Sequence, residues 1–374
     1  YTGEDTLSLH DALPIFLQGR PLHSAKIMAS NPFSYTDDTL KQLVTDALAH
    51  AKSRGATAAD AEVSEGFGQT VTVRQREVET IEYNRDKGIG VTVYIGKQRG
   101  HASSSDLSPQ ALRDTVDAAL AIARYTATDD CAGLADPERL AREFPDLDLI
   151  HPWDMPVERA IEMAQACEAA GFNVDKRVTN SEGATVSTQQ SHFIYGNTNG
   201  FLAGYPSSRH SIWCALIAGK GDGMQRDDWY ETVRDPADLP APDFIGRKAG
   251  ERAIARLKSR KVPTEQVPVL FESGVAASLM GHFVSAVSGG SLYRKSSFLL
   301  DSLGQRILPE HVDVDEDPHQ LRGKGSAPEF AVLVKAIRST ASAPRKQLSF
   351  RRIIELPWLR RRGGAVRGHR RQPR

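Results

Sequence analysis

Residues 267–304, VPVLFESGVAASLMGHFVSAVSGGSLYRKSSFLLDSLG, open with a short apolar run and pass into a helical pattern. The run 267–271 has strand length, and Val275, Leu279, Met280, Phe283, Val284 and Val287 then recur at helical spacing. At about 100° per residue they fall on one broad stripe. Gly274, Ser278, Gly281, Ser285 and Ser288 line up on the opposite side, a face with almost no side chain. Each interior glycine costs an isolated helix roughly 1 kcal/mol relative to alanine. Close approach of another backbone is the expected compensation, which predicts a helix buried on both sides. His282 stands at the border of the two faces and is the one ionisable side chain between Glu272 and Tyr293.

Upstream, Thr36, Asp37 and Asp38 are placed to cap a helix through Leu40, Leu43, Val44, Ala47, Leu48 and Ala51 that ends near Gly55. Short alternating segments follow at 60–64, 70–75, 78–83 and 88–95, with a further strand at 99–104, and read as an antiparallel meander. Ser108 and Pro109 open a second helix through Leu112, Val116, Leu120 and Ala123. A third is expected over 156–170, with Asp154 as cap candidate and Gly171 as its stop. Strands and turns return at 185–189, 193–195 and 208–217, and the glycines 219, 221 and 223 suit a hairpin turn. The Pro/Asp-rich piece 235–243 marks a boundary before a helix over 244–257. The fold class is α+β, antiparallel sheets with packed helices.

A chain of 374 residues with 40% hydrophobic side chains suffices for two or three domains with real cores. The expected division is a foreign leader 1–27, an N-terminal α+β domain 28–240, the start of a C-terminal domain 241–329, and a basic, non-native tail 330–374. Residues 331–374 hold 13 Lys+Arg and one acid, Glu355. Removing them from the totals of 47 and 47 leaves 34 bases and 46 acids, a net of −12 for the main body. That charge disfavours nucleic acid as a ligand. No apolar run approaches the ~20 residues needed to cross a bilayer. Cys131, Cys167 and Cys214 show no paired spacing, so a reducing compartment, the cytoplasm, is expected.

No HExxH occurs among the eleven histidines. Asp313, Asp315 and Asp317 alternate like the start of a calcium loop, but Pro318 and Lys324 occupy the positions that need Gly and Glu, so the segment reads as a solvated turn. There is no GxSxG elbow and no phosphate loop. Composition and spacing assemble no catalytic set.

The stretch 289–304, GGSLYRKSSFLLDSLG, resembles the signature of the PmbA/TldE-type proteins of the TldD/PmbA metalloprotease family. Segments 102–110 (ASSSDLSPQ), 122–125 with 131–133, 146–152 (DLDLIHP), 176–183 (KRVTNSEG) and 208–211 resemble the same proteins, and the likeness runs in order over 39–328. The resemblance implies a two-domain α+β architecture whose C-terminal domain is incomplete here, and a two-chain cytoplasmic protease that cuts peptide-antibiotic precursors and flexible peptides such as antitoxins. Its catalytic TldD-like chain carries a His-Glu-x-x-x-His helix that holds zinc, the carboxylate activating the metal-bound water. Matching the Gly-His of that motif to Gly281 and His282 places Ala277 at the first His and Ser278 at the Glu. Only His282 remains, which implies no catalytic residue and no metal in this chain, zinc in the partner subunit, and a peptide substrate shared between them. Tyr293, Arg294 and Lys295, an aromatic residue beside a cationic pair after the Gly-Gly bend, are the candidates for contacting peptide or partner. A homo-oligomer is a further possibility. Two alternatives stand beside this: a peptide-binding scaffold that captures strands at its sheet edges, and an independent metallohydrolase using dispersed residues such as His210, His311 and His319.

Overall fold

A computed structural model describes residues 33–302, 305, 307, 317–326 and 328. The leader 1–27, the tail 330–374, His311, Asp313 and Asp315 lie outside the described residues.

Six strands form one antiparallel sheet in the order β3-β2-β1-β4-β5-β6. These are β1 (Ala58–Arg74), β2 (Glu77–Ile95), β3 (Gln98–Ser104), β4 (Val178–Asn197), β5 (Leu202–Ala218) and β6 (Gln225–Val233). The short strands expected at 60–64 and 70–75 are one strand, because the backbone stays paired through Gly66, Phe67 and Gly68 to β2 and β4 alike. Polarity alternation fades there while the hydrogen-bond ladder does not.

The helices are α1 (Asp37–Ser53), α2 (Pro109–Tyr125), α3 (Val157–Phe172), α4 (Pro242–Ala255), α5 (Ser273–Val287) and α6 (Gly289–Tyr293). Thr36 caps α1, its hydroxyl accepting from the Thr39 N–H, and Ser108 caps α2 by accepting from Ala111. α3 starts at Pro156 without a side-chain cap, so Asp154 does not serve.

All four long helices of the sheet region cover one face. Ala59, Ala61 and Val63 of β1 join α1 and α2 in one core cluster, and Val71 and Val73 of the same strand join α3 and α4 in another. These odd-numbered positions share one side of the pleat. At roughly 1.5–3 kcal/mol for each fully buried aliphatic side chain, the two clusters dominate stability. Between them the covered face turns polar: the Glu65 carboxylate accepts the N–H groups of Ser34 and Tyr35 at 3.0 and 2.9 Å.

Gly171 lies within the last turn of α3 rather than ending it. A Cβ there would meet the Gly246 carbonyl, and one on Gly246 would collide with the carbonyl of Cys167. The glycines thus set the close crossing of α3 and α4.

α5 corrects two expectations. The run 267–271 pairs with no strand, and Leu270 is 98% exposed. α5 itself buries only Gly281, Ala286 and Val287. Val275, Leu279 and Val284 are about half exposed, because α5 packs chiefly against α6 and residues near Leu299. Spacing shows which side of a helix is apolar, but not whether anything covers it.

Candidate functional site

The predicted contact residues follow directly on α5. Ser288 caps α6, and the chain leaves α6 through a Schellman turn in which the Lys295 N–H donates to Leu292 O and the Ser296 N–H to Ser291 O. The turn holds Lys295 at φ 56°, a left-handed conformation usually given to glycine. Tyr293, Arg294 and Lys295 are all exposed there. The Arg294 guanidinium lies back over Gly290, 3.4 Å from where a Cβ would stand. The three residues therefore form one aromatic and cationic knuckle at the end of α6.

His282 is exposed one turn beyond Ala277 and Ser278. A methyl, a hydroxyl and one imidazole do not make a zinc donor set, since zinc takes three protein ligands even in open catalytic sites. Among the described residues no three His, Cys, Asp or Glu side chains converge as a metal-holding group.

His210 does not fit the dispersed-ligand alternative. It is fully buried, with Nδ1 2.9 Å from the Thr188 hydroxyl and Nε2 2.8 Å from His151 O, so both ring nitrogens are engaged. Burial lowers its pKa, outweighing the hydrogen bond to His151 O. His151 sits between Asp148 and Asp235 at 3.2 and 3.4 Å. Arg322 reaches the same two carboxylates at 2.6 and 2.9 Å, fastening segment 317–326 to the sheet region.

Residue-by-residue reading missed a cavity of about 640 Å³ on the open face of the sheet. Asp60, Glu62 and Ser64 of β1 line it with Thr92 of β2, His101 of β3 and Tyr195 of β4. Burial raises the Asp60 pKa against the lowering effect of hydrogen bonds from Thr92 and Tyr94. Tyr94 and Tyr195 are pushed up to about 12, first by burial and then by the Asp60 charge. Both phenols therefore stay protonated as donors at neutral pH. The even-numbered polar positions 60, 62 and 64 were the available signal, but their neighbours come from distant strands.

The cysteines are unpaired thiols. Contact with Cys167 and burial push the Cys214 thiol up, which suits a core residue rather than a nucleophile. No helix among the described residues is long and apolar enough to cross a membrane.

Sequence profiles for PmbA/TldA metallopeptidase domain 1, central domain and C-terminal domain match residues 59–123, 150–257 and 264–329. The chain belongs to the PmbA/TldD metallopeptidase family. It is 46% identical over 291 residues to Metalloprotease PmbA of Escherichia coli O157:H7, covering 77% of this chain and 64% of the relative. It is 42% identical over 292 residues to a Metalloprotease PmbA homolog of Haemophilus influenzae, covering 78% and 64%. The PmbA/TldD-family chain thus spans just under two thirds of these relatives' length.

Among solved structures, a proposed modulator of DNA gyrase from Bacteroides thetaiotaomicron superposes with a TM-score of 0.72 at 25% identity, over 78% of this chain and 67% of that one. TldE from Thermococcus kodakarensis superposes at 0.53 and 14% identity, over 70% and 59%, a likeness of fold alone. The α+β class and antiparallel sheet expected from sequence agree with these PmbA/TldD-type neighbours.

Proposed function

We propose that this chain is the PmbA/TldE-type, non-catalytic subunit of a two-chain cytoplasmic metalloprotease acting on flexible peptides such as peptide-antibiotic precursors and antitoxins. One observation carries the reading: α5 offers Ala277, Ser278 and an exposed His282 where a catalytic chain needs two imidazoles and a carboxylate. With no second ligand and no base beside it among the described residues, His282 lacks the means to activate water. Zinc then resides in a TldD-like partner, and this chain contributes the wall against which partner or peptide docks. The exposed knuckle Tyr293, Arg294 and Lys295 supports that role, since a cationic pair beside an aromatic ring suits an acidic or carboxylate-bearing surface.

The test is peptidase activity of this chain with and without a TldD-like chain bearing the His-Glu-x-x-x-His motif. The expected result is no chelator-sensitive cleavage alone and cleavage on mixing. Robust, chelator-sensitive cleavage by this chain alone would overturn the reading.

A further inference from the structure

The cavity of about 640 Å³ on the open face has the size of a ligand site, ~300–1,000 Å³, and the strand register explains its shape. Glu62 and Ser64 of β1 stand opposite Gly90 and Gly88 of β2, so the floor drops where β2 carries no side chains. A Cβ on Gly88 would lie 3.2 Å from the Ser104 carbonyl, and one on Gly90 would lie 3.3 Å from His101 Cε1. The end of β3 therefore overhangs one long side of a trough. Tyr195 of β4, the register partner of Glu62, stands on the other.

This trough is rich in acceptors. The Thr92 hydroxyl has one proton and gives it to Asp60, so in its 3.2 Å contact with His101 Nδ1 the ring nitrogen is the donor. That leaves Nε2 of the neutral imidazole as an acceptor, on the ring edge that reaches over Gly90. The carboxylates of Asp60 and Glu62 join it in the lining. Lys87, the lysine of the lining, is turned aside, its ammonium donating to Tyr35 OH at 2.9 Å. Burial raises the Asp60 pKa although Thr92, Arg99, Tyr94 and His101 all lower it, so its charge is compensated less well than water would compensate it.

We propose that the trough binds the guanidinium of an arginine residue in a peptide. The match of hydrogen-bonding groups carries the proposal. A guanidinium offers donors alone, five N–H groups in a flat fork that pairs with a carboxylate through two bonds at once. An ammonium also offers donors alone, but from a single point, and it lacks the flat face that stacks on an aromatic ring such as Tyr195. Arg99 offsets one of the two carboxylates, which leaves room for one positive charge. The proposal rests on the subunit reading only for the peptide that carries the arginine.

The probe is N-acetyl-arginine amide, which presents the side chain as an internal residue does, titrated into the full chain alone and followed by saturation-transfer NMR. Saturable binding in the ~millimolar range is expected of one charged group held in an open site. The citrulline analogue, similar in shape but neutral, should bind about tenfold more weakly, with the lysine analogue between the two. Glu62→Gln, at an exposed side chain, should weaken the arginine probe about tenfold at unchanged melting temperature. Gly90→Val, which fills the floor of the trough, should abolish binding. No saturation, equal binding of the arginine and citrulline probes, or arginine binding unmoved by both variants would overturn the proposal. The catalytic chain takes no part in this measurement, so loss of the arginine site leaves the subunit reading standing, and absence of cleavage on mixing leaves the site standing.

Discussion

The buried carboxylate of Glu168 on α3 holds the turn between β1 and β2, accepting the backbone N–H of Gln75 at 2.8 Å. Its second oxygen accepts the N–H of Arg76 at 2.7 Å. Gln75 and Arg76 have φ of 52° and 69°, the paired left-handed conformation of a two-residue hairpin turn usually built from Asn-Gly. Gln165 adds a bond to Arg76 O. A helix thus stabilises a turn whose own residues disfavour it.

Glu168→Gln keeps the shape but can offer only one acceptor oxygen to two N–H groups. Hydrogen bonds to a charged group are worth about 1.5–3 kcal/mol, and a loss of that order is expected in urea unfolding. Arg76→Gly should act oppositely, raising stability by about 1 kcal/mol, because glycine carries no penalty for positive φ.

Gly246→Ala should destabilise by about 1–3 kcal/mol or more, since its methyl meets the backbone of α3 rather than a movable side chain. Thermal unfolding checks the loss. An alanine at Gly223, where nothing lies within 4 Å, should leave the melting temperature nearly unchanged.

Lys295→Gly should tighten the turn after α6 by about 1 kcal/mol by relieving the left-handed strain. Slower hydrogen exchange of the Ser296 amide, which donates to Ser291 O, reports the tightening. The same variant tests the contact role: if the side chain touches partner or peptide, stimulation of the catalytic chain falls although the turn is firmer.

His210 gives a pH dependence with a definite sign. Burial lowers its folded pKa below the ordinary 6.5, so as pH falls below that value the unfolded chain binds the proton first. Its contribution to stability is present above the unfolded pKa and is lost as pH falls through the window down to the folded pKa. Urea midpoints measured from pH 7 downward should decline, and His210→Gln should flatten the decline.

Much of the fold was legible locally. The Thr36 and Ser108 caps, the apolar stripes of α1 and α2, and the glycine-rich turn before β6 all lie where the pattern places them. The strand at 267–271 failed because an apolar run needs a neighbour to become a strand, and none pairs with it among the described residues. The cavity at Asp60 was invisible because its wall draws on four strands, with Tyr195 lying far along the chain.

By itself the sequence determined most of the kinds of element, the side of each helix that is apolar, and the family, because periodicity and signature are properties of neighbouring residues. The tertiary structure decided that Gly171 and Gly246 are the crossing of two helices, that Glu168 props up a distant turn, and that α5 stays half exposed. Those outcomes depend on which surfaces meet, and burial and hydrogen bonding are energies of pairs that only the folded chain brings together.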